Sequence, residues 1–145
     1  MTYSNAQLQA LARSVGIPEN HVPLMAAIAL AESSGDPSAI NPGVGAGGRR
    51  TNEYSVGLWQ INTLVHKNYS VQQLKDPQIN AREMARIYRT QGLRAWGAYT
   101  DGRYKRYMTG VIATGSPLPS SSAASDTSKI VLAVAAVLVL ALLIE

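Results

Sequence analysis

The sequence predicts a mainly α domain with a small β or irregular element near its middle, followed by a linker and a C-terminal hydrophobic helix. Apolar residues recur at helical spacing in three separate stretches before Gly92, a glycine-rich segment interrupts them, and the composition changes after Ile112. A chain of 145 residues suffices for one compact domain with a real core plus short appendages. The expected boundaries are a globular domain over residues 1–112, a flexible linker over 113–128 and a hydrophobic anchor over 129–145.

Ser4 to Val15 places Leu8, Leu11, Ala12 and Val15 at helical spacing, and Gly16 with Pro18 stops that helix. A second helix starts near Pro23, a favoured first helical position, and runs through Leu24, Ile28 and Leu30 to Ser33-Ser34, with Gly35 as its C-terminal cap. Asp36-Pro37 opens a brief turn or helix. Asn41 to Asn52 carries Gly43, Gly45, Gly47 and Gly48 beside Arg49-Arg50, which is loop composition without phosphate-loop spacing. Tyr54 to Ile61 reads as a short strand or turn leading into a helix. Ser70-Val71-Gln72-Gln73 fits a capping box, and Asp76-Pro77 fits an N-cap with proline at the first helical position. The helix from Pro77 to about Gln91 is expected to bury Ile79, Met84, Ile87 and Tyr88, and Gly92 ends it. Leu93 to Ala98 and Gly102 to Ile112 read as two further short helices joined by Tyr99-Thr100-Asp101.

Residues 113–128 hold Gly115, Pro117, Pro119 and a cluster of serines, the composition of a flexible linker. Ile130 to Ile144 is apolar for 15 uninterrupted residues. As a helix it spans roughly 22 Å, against ~30 Å for a hydrocarbon core, so Lys129 must snorkel or Thr127-Ser128 must enter if it crosses a bilayer. The competing reading is a helix buried in a larger assembly. A helix apolar on every face finds no cover on so small a domain, so a membrane anchor is expected. Met1 to Ala12 lacks a basic start followed by an apolar core, so no secretory signal peptide is expected.

The absence of cysteine excludes a disulfide framework and a thiolate metal site. Lys129 and Glu145 cancel, so the formal net charge of +4 belongs to the part before the tail and suits an anionic polymer. Composition alone fits either nucleic acid or peptidoglycan. Arg82, Arg86 and Arg89 fall on one helical face and read as solvated surface. His21 and His66 read as structural or exposed side chains; no metal or cofactor is expected, and no serine-histidine-acid set stands out.

Glu32 is the conspicuous carboxylate, in the last turn of the almost wholly apolar run from Met25. Apolar burial and the negative end of the helix dipole both favour its protonated form, which makes it a candidate general acid. Alone, a glutamate near a helix end is more often a solvated side chain.

Its partners change that reading. Ala31-Glu32-Ser33-Ser34-Gly35, then Ser55-Val56-Gly57-Leu58-Trp59-Gln60-Ile61-Asn62, then Trp96-Gly97-Ala98-Tyr99 resemble, in order and spacing, the lytic transglycosylase group of the lysozyme-like superfamily, over roughly Leu8 to Met108. Trp59 stands where that group has methionine and Thr100 where it has asparagine. These departures look closer to lysozyme-like domains of phage structural proteins. The resemblance implies an α+β lysozyme-like fold, with Glu32 catalytic and with Ser33, Gly57, Leu58, Trp59, Gln60 and Tyr99 as substrate-binding positions. Gln60 would hydrogen-bond an N-acetyl or hydroxyl group, and Tyr99 would orient Glu32 or touch the sugar. Trp59 either stacks on a sugar face or fills the core, and Trp96 fills the core.

The implied reaction is cleavage of the β-1,4 bond between N-acetylmuramic acid and N-acetylglucosamine, with one glutamate acting first as acid and then as base. A hydrolytic muramidase is the alternative, with Glu53 as the second carboxylate. A third possibility, from another class, is a catalytically weak glycan-binding or structural virion protein. The partners expected are peptidoglycan glycan strands, a membrane through residues 129–145 and other virion proteins, without nucleic acid. A wall enzyme without an export signal must be carried to its substrate. The expected place is therefore a virion, in an internal membrane or an entry or tail device, acting on the host wall during genome entry; a bacterial envelope membrane is the alternative.

Overall fold

The computed structural model describes residues 1–44, 48 and 53–108. Ser4 opens α1 (Asn5–Ser14) with a capping box completed by Gln7, and Leu8, Leu11 and Ala12 face inward. Helix α2 (Val22–Ser33) has Pro23 in its first turn. It is apolar almost all round, and Val22, Met25, Ala26, Ala27, Ile28 and Ala29 are buried accordingly. Ser34 (φ 55°) and Gly35 (φ 76°) both take left-handed conformations, so two residues share the stop expected at Gly35 alone. The Gly35 carbonyl accepts the Tyr3 N–H at 2.7 Å, which leaves no room there for a Cβ.

The segment expected to lead from a strand into a helix is instead a β-hairpin. Strands β1 (Ile40–Asn41), β2 (Ser55–Val56) and β3 (Ile61–Asn62) form one antiparallel sheet in that order, with Val56 between Ile40 and Ile61. The four residues Gly57-Leu58-Trp59-Gln60 reverse the chain, because Gly57 (φ 81°) and Gln60 (φ 45°) both turn left-handed. Gly57 is required at its place for a second reason, since a Cβ would strike the Asn80 amide and the Leu74 carbonyl.

Both expected caps are present: Ser70 and Gln73 form a capping box at α3 (Val71–Leu74), and Asp76 accepts the Gln78 and Ile79 N–H groups ahead of α4 (Pro77–Gln91). Helix α4 buries Met84 and Ile87 as expected, whereas Ile79 and Tyr88 are half-buried; it also buries Asn80 and Glu83. Beyond Gly92 the breaks differ from expectation. A 3-10 turn (Gly92–Ala95) ends at an extended Trp96, then α5 (Gly97–Thr100) and a second 3-10 turn (Arg103–Tyr107) follow. Tyr99 and Thr100 are thus helical, and the connection is Asp101-Gly102. The Arg82, Arg86 and Arg89 stripe is exposed as expected, with two of its members tied to neighbours. Arg86 pairs with Glu83 at 2.7 Å, and Arg89 donates to the Val15 carbonyl at 2.9 Å. The expected linker and hydrophobic anchor lie outside the described residues.

Asn80 joins α4 to the hairpin. It is wholly buried, accepts the Trp59 N–H at 3.0 Å, and donates to the Val56 and Leu74 carbonyls at 3.0 and 2.9 Å. Replacing Asn80 by alanine removes the partners of three buried main-chain groups and is expected to lower the unfolding free energy by about 3 kcal/mol. Urea denaturation followed by tryptophan fluorescence measures this, and a loss well under about 1 kcal/mol would show that the amide is dispensable.

Candidate active site

The end of α2, the sheet and the start of α5 enclose a cleft of about 670 Å³, lined among others by Glu32, Glu53, Gln60, Asn62, His66 and Arg103. Glu32 stands in its wall because α2 ends one residue later, and its side chain keeps 15% of its exposure. Its surroundings are more polar than the apolar run of α2 suggested. Oε1 accepts the Ala98 main-chain N–H at 2.8 Å and lies 3.9 Å from Arg103 Nη2. The residue positioned against Glu32 is therefore Ala98, through its backbone, and not Tyr99. The Tyr99 ring stacks on Tyr104 with centroids 5.1 Å apart and lines a separate depression with Arg94 and Lys105.

The hairpin turn divides its four residues between the core and the cleft. Leu58 and Trp59 are completely buried, and Trp59 Nε1 donates to the Met25 carbonyl at 2.9 Å. Their side chains are structural, so the expected contact with substrate does not hold for them. Gly57 is buried and acts through its backbone, donating to the Ala39 carbonyl at 2.8 Å. Only Gln60 reaches the cleft, with Nε2 donating to the Gly57 and Ala39 carbonyls at 3.0 and 3.3 Å. Ser33 borders the cleft but directs its hydroxyl inward, to the Ala29 and Leu58 carbonyls, both at 2.9 Å. It ties the end of α2 to the turn instead of offering its hydroxyl to a ligand. Trp96 is buried as expected and donates through Nε1 to the Trp59 carbonyl at 2.9 Å.

Glu53 shares the cleft with Glu32, and its Oε1 accepts the Ser55 hydroxyl at 3.0 Å. Asp36 and Asp101 accept the N–H groups of Ser38 and Arg103, each two residues further along the chain. His21 meets the Tyr88 hydroxyl, away from the cleft. His66 enters the cleft wall and contacts Arg86 at 3.3 Å. Behind it Glu83 is bound by Arg86 and by Asn68. Among the described residues no group of three or more histidine, aspartate or glutamate side chains is placed to hold a metal ion. Arg103, Asn80 and Glu83 are the site-shaping residues that sequence reasoning missed. Arg103 lay within the basic run Arg103-Tyr104-Lys105-Arg106, which carries no signal of its partner in α2.

Two comparisons bear on this geometry. A family model described as a lysozyme-like domain matches residues 9–98, a span that contains Glu32, the whole hairpin and Ala98. No curated protein matches the chain.

Burial lowers the basicity of His66, with Glu83 opposing and Arg86 reinforcing, and the net effect is below its ordinary 6.5. Burial pushes Glu83 up, but hydrogen bonds from Arg86 and Asn68 outweigh it and hold the carboxyl below its ordinary 4.5. Both groups bind protons more weakly folded than unfolded, so acid favours the unfolded chain. Stability is expected to fall as pH drops below the ordinary 6.5 of His66, and again below the ordinary 4.5 of Glu83. In urea melts across this range, Glu83→Gln should be less stable at neutral pH yet lose the lower step. An unchanged lower step would assign it to other carboxylates.

Proposed function

The chain belongs to the lysozyme-like domain family, which makes it a peptidoglycan-cleaving protein, and we propose that it is a lytic transglycosylase with Glu32 as its acid and base. The observation that carries this reading is the Glu32 carboxylate fixed in the wall of a polar cleft by the Ala98 N–H. In the first half-reaction Glu32 gives its proton to the glycosidic oxygen as the bond from that oxygen to C1 of the muramic residue breaks. In the second, the ionised Glu32 takes the proton from the C6 hydroxyl while the C6 oxygen bonds to C1, closing a 1,6-anhydro ring. The glutamate ends protonated, as it began, and no water is consumed. An internal nucleophile already tethered beside C1 needs no second carboxylate to activate it. Gln60, whose Nε2 is engaged with main-chain carbonyls, offers its amide oxygen to an N-acetyl or hydroxyl donor of the glycan.

Hydrolysis is the second reading, and the presence of Glu53 in the same cleft favours it. That chemistry requires Glu53 to activate a water opposite Glu32. The apolar run Ile130 to Ile144 supports attachment to a membrane. The tryptophan form of the turn supports carriage in a phage virion, with a bacterial envelope as the rival setting. Detection in purified virions tests the carrier, and absence from them would remove it.

Mass spectrometry of sacculi digested by the full chain is expected to show anhydro-muropeptides. Glu32→Gln should reduce release by about 10²-fold or more, while Glu53→Gln leaves it largely intact. Reducing ends, together with equal losses in the two variants, would establish hydrolysis. A folded chain that binds sacculi without releasing fragments would leave only glycan binding.

A further inference from the structure

The two carboxylate oxygens of Glu32 have different surroundings. Oε1 receives the Ala98 N–H at 2.8 Å and has Arg103 Nη2 at 3.9 Å. Among the described residues no donor reaches Oε2. Arg103 is itself anchored at three points: its N–H and Nε donate to the two Asp101 carboxylate oxygens at 2.9 and 2.7 Å, and Nη1 reaches the Ala31 carbonyl at 3.4 Å. Asp101, before burial and then Glu32, dominates the guanidinium's surroundings, and the net effect keeps Arg103 firmly charged. One side chain thus bridges the turn after α5, the last turn of α2 and a single oxygen of Glu32.

We propose that Arg103, set in place by Asp101, is a positioning residue that reserves Oε1 and leaves Oε2 to carry the proton exchanged with the glycan. The inference rests on the reading of Glu32 as acid and base. A carboxylic acid has one O–H, and a proton on Oε1 would point at the Ala98 N–H and the guanidinium, two groups with hydrogens of their own. On Oε2 it leaves both contacts intact. The same oxygen then accepts the C6 hydroxyl proton in the second half-reaction, because the Ala98 N–H already engages Oε1 and the guanidinium stands beside it. At 3.9 Å, the Arg103 contact is a charge contact and not a hydrogen bond, so its effect is to hold the carboxylate's orientation.

The test compares Arg103→Gln, Arg103→Lys, Asp101→Asn and Glu32→Gln in the full chain, with soluble glycan strands as substrate. Arg103→Gln is expected to lower kcat by about tenfold with little change in KM, Arg103→Lys to recover most of it, and Asp101→Asn to fall between. The Ala98 amide resonance should move in Arg103→Gln and return in Arg103→Lys. A raised KM at unchanged kcat would make Arg103 a substrate contact and overturn the proposal. Equal losses in the Gln and Lys variants, matched to a loss of folded protein by circular dichroism, would overturn it too. Wild-type turnover and an unmoved Ala98 resonance in Arg103→Gln, beside an inactive Glu32→Gln, would sink the positioning role alone. Activity surviving in Glu32→Gln would remove the acid itself, and the positioning role with it.

Discussion

A buried amide on α4 sets the geometry from which the cleft follows. Asn80 can satisfy the Trp59 N–H and the Val56 and Leu74 carbonyls together only if the hairpin turn lies against α4. That placement drives the Trp59 indole into the core, where Nε1 finds the Met25 carbonyl on α2. The Trp59 carbonyl then receives Trp96 Nε1, which fixes the residue just before α5. Two residues later the Ala98 N–H meets Glu32. The chain of contacts is continuous and mostly dry, and in a dry site each unpaired group costs about 1 to 3 kcal/mol. The orientation of Glu32 is therefore inherited from the packing of the hairpin turn against α4.

Elements specified by nearby residues were legible in the sequence, and elements specified by distant ones were not. Ser70 and Asp76 cap groups two or three positions away, so their caps could be read directly. A short strand was legible near Tyr54 to Ile61, but the hairpin escaped because each strand has two residues, too few for alternation to appear, and because the left-handed Gln60 has no marker in its residue type. The same division runs through the site. Glu32 and Gln60, which line the cleft, belong to a linear pattern, but that pattern did not separate residues that face the cleft from residues that support it. Ser33, Leu58 and Trp59 belong to the second kind. Asn80 reaches back 24 positions to Val56, and Arg103 reaches back 72 to Ala31, and no local periodicity reports such partners.

The strained turn and the buried tryptophan are two consequences of one requirement. Four residues must reverse the chain while their first meets the Asn80 amide and their last enters the cleft. Gly57 meets the first condition because it has no Cβ. Gln60 adopts φ 45°, which costs a non-glycine residue about 1 kcal/mol or more, and its Nε2 bonds to the Gly57 and Ala39 carbonyls help to offset that cost. The same bonds fix which end of the amide is left for a ligand. Strain at Gln60 and order of its side chain are thus coupled, and a residue that relaxed the backbone without an amide would give up the contact that the turn presents to the cleft.

The length of α2 decides whether Glu32 is part of the core or part of a site. For most of its course the helix is apolar on every side and closed off from water. A carboxylate one turn earlier would be buried and would need a cation of its own, as the buried Glu83 has in the half-exposed Arg86. One turn later it would project into solvent with no fixed partner. The two left-handed residues Ser34 and Gly35 stop the helix at the boundary, and the Tyr3 backbone closes over Gly35 to hold that stop. Arg103 then meets the exposed C-terminal carbonyl of Ala31, where a cation is favoured by the helix dipole, and brings its charge beside Glu32 as a result. Helix termination and carboxylate placement are therefore one structural event, so a change that lengthened α2 would alter the cleft before it weakened the core.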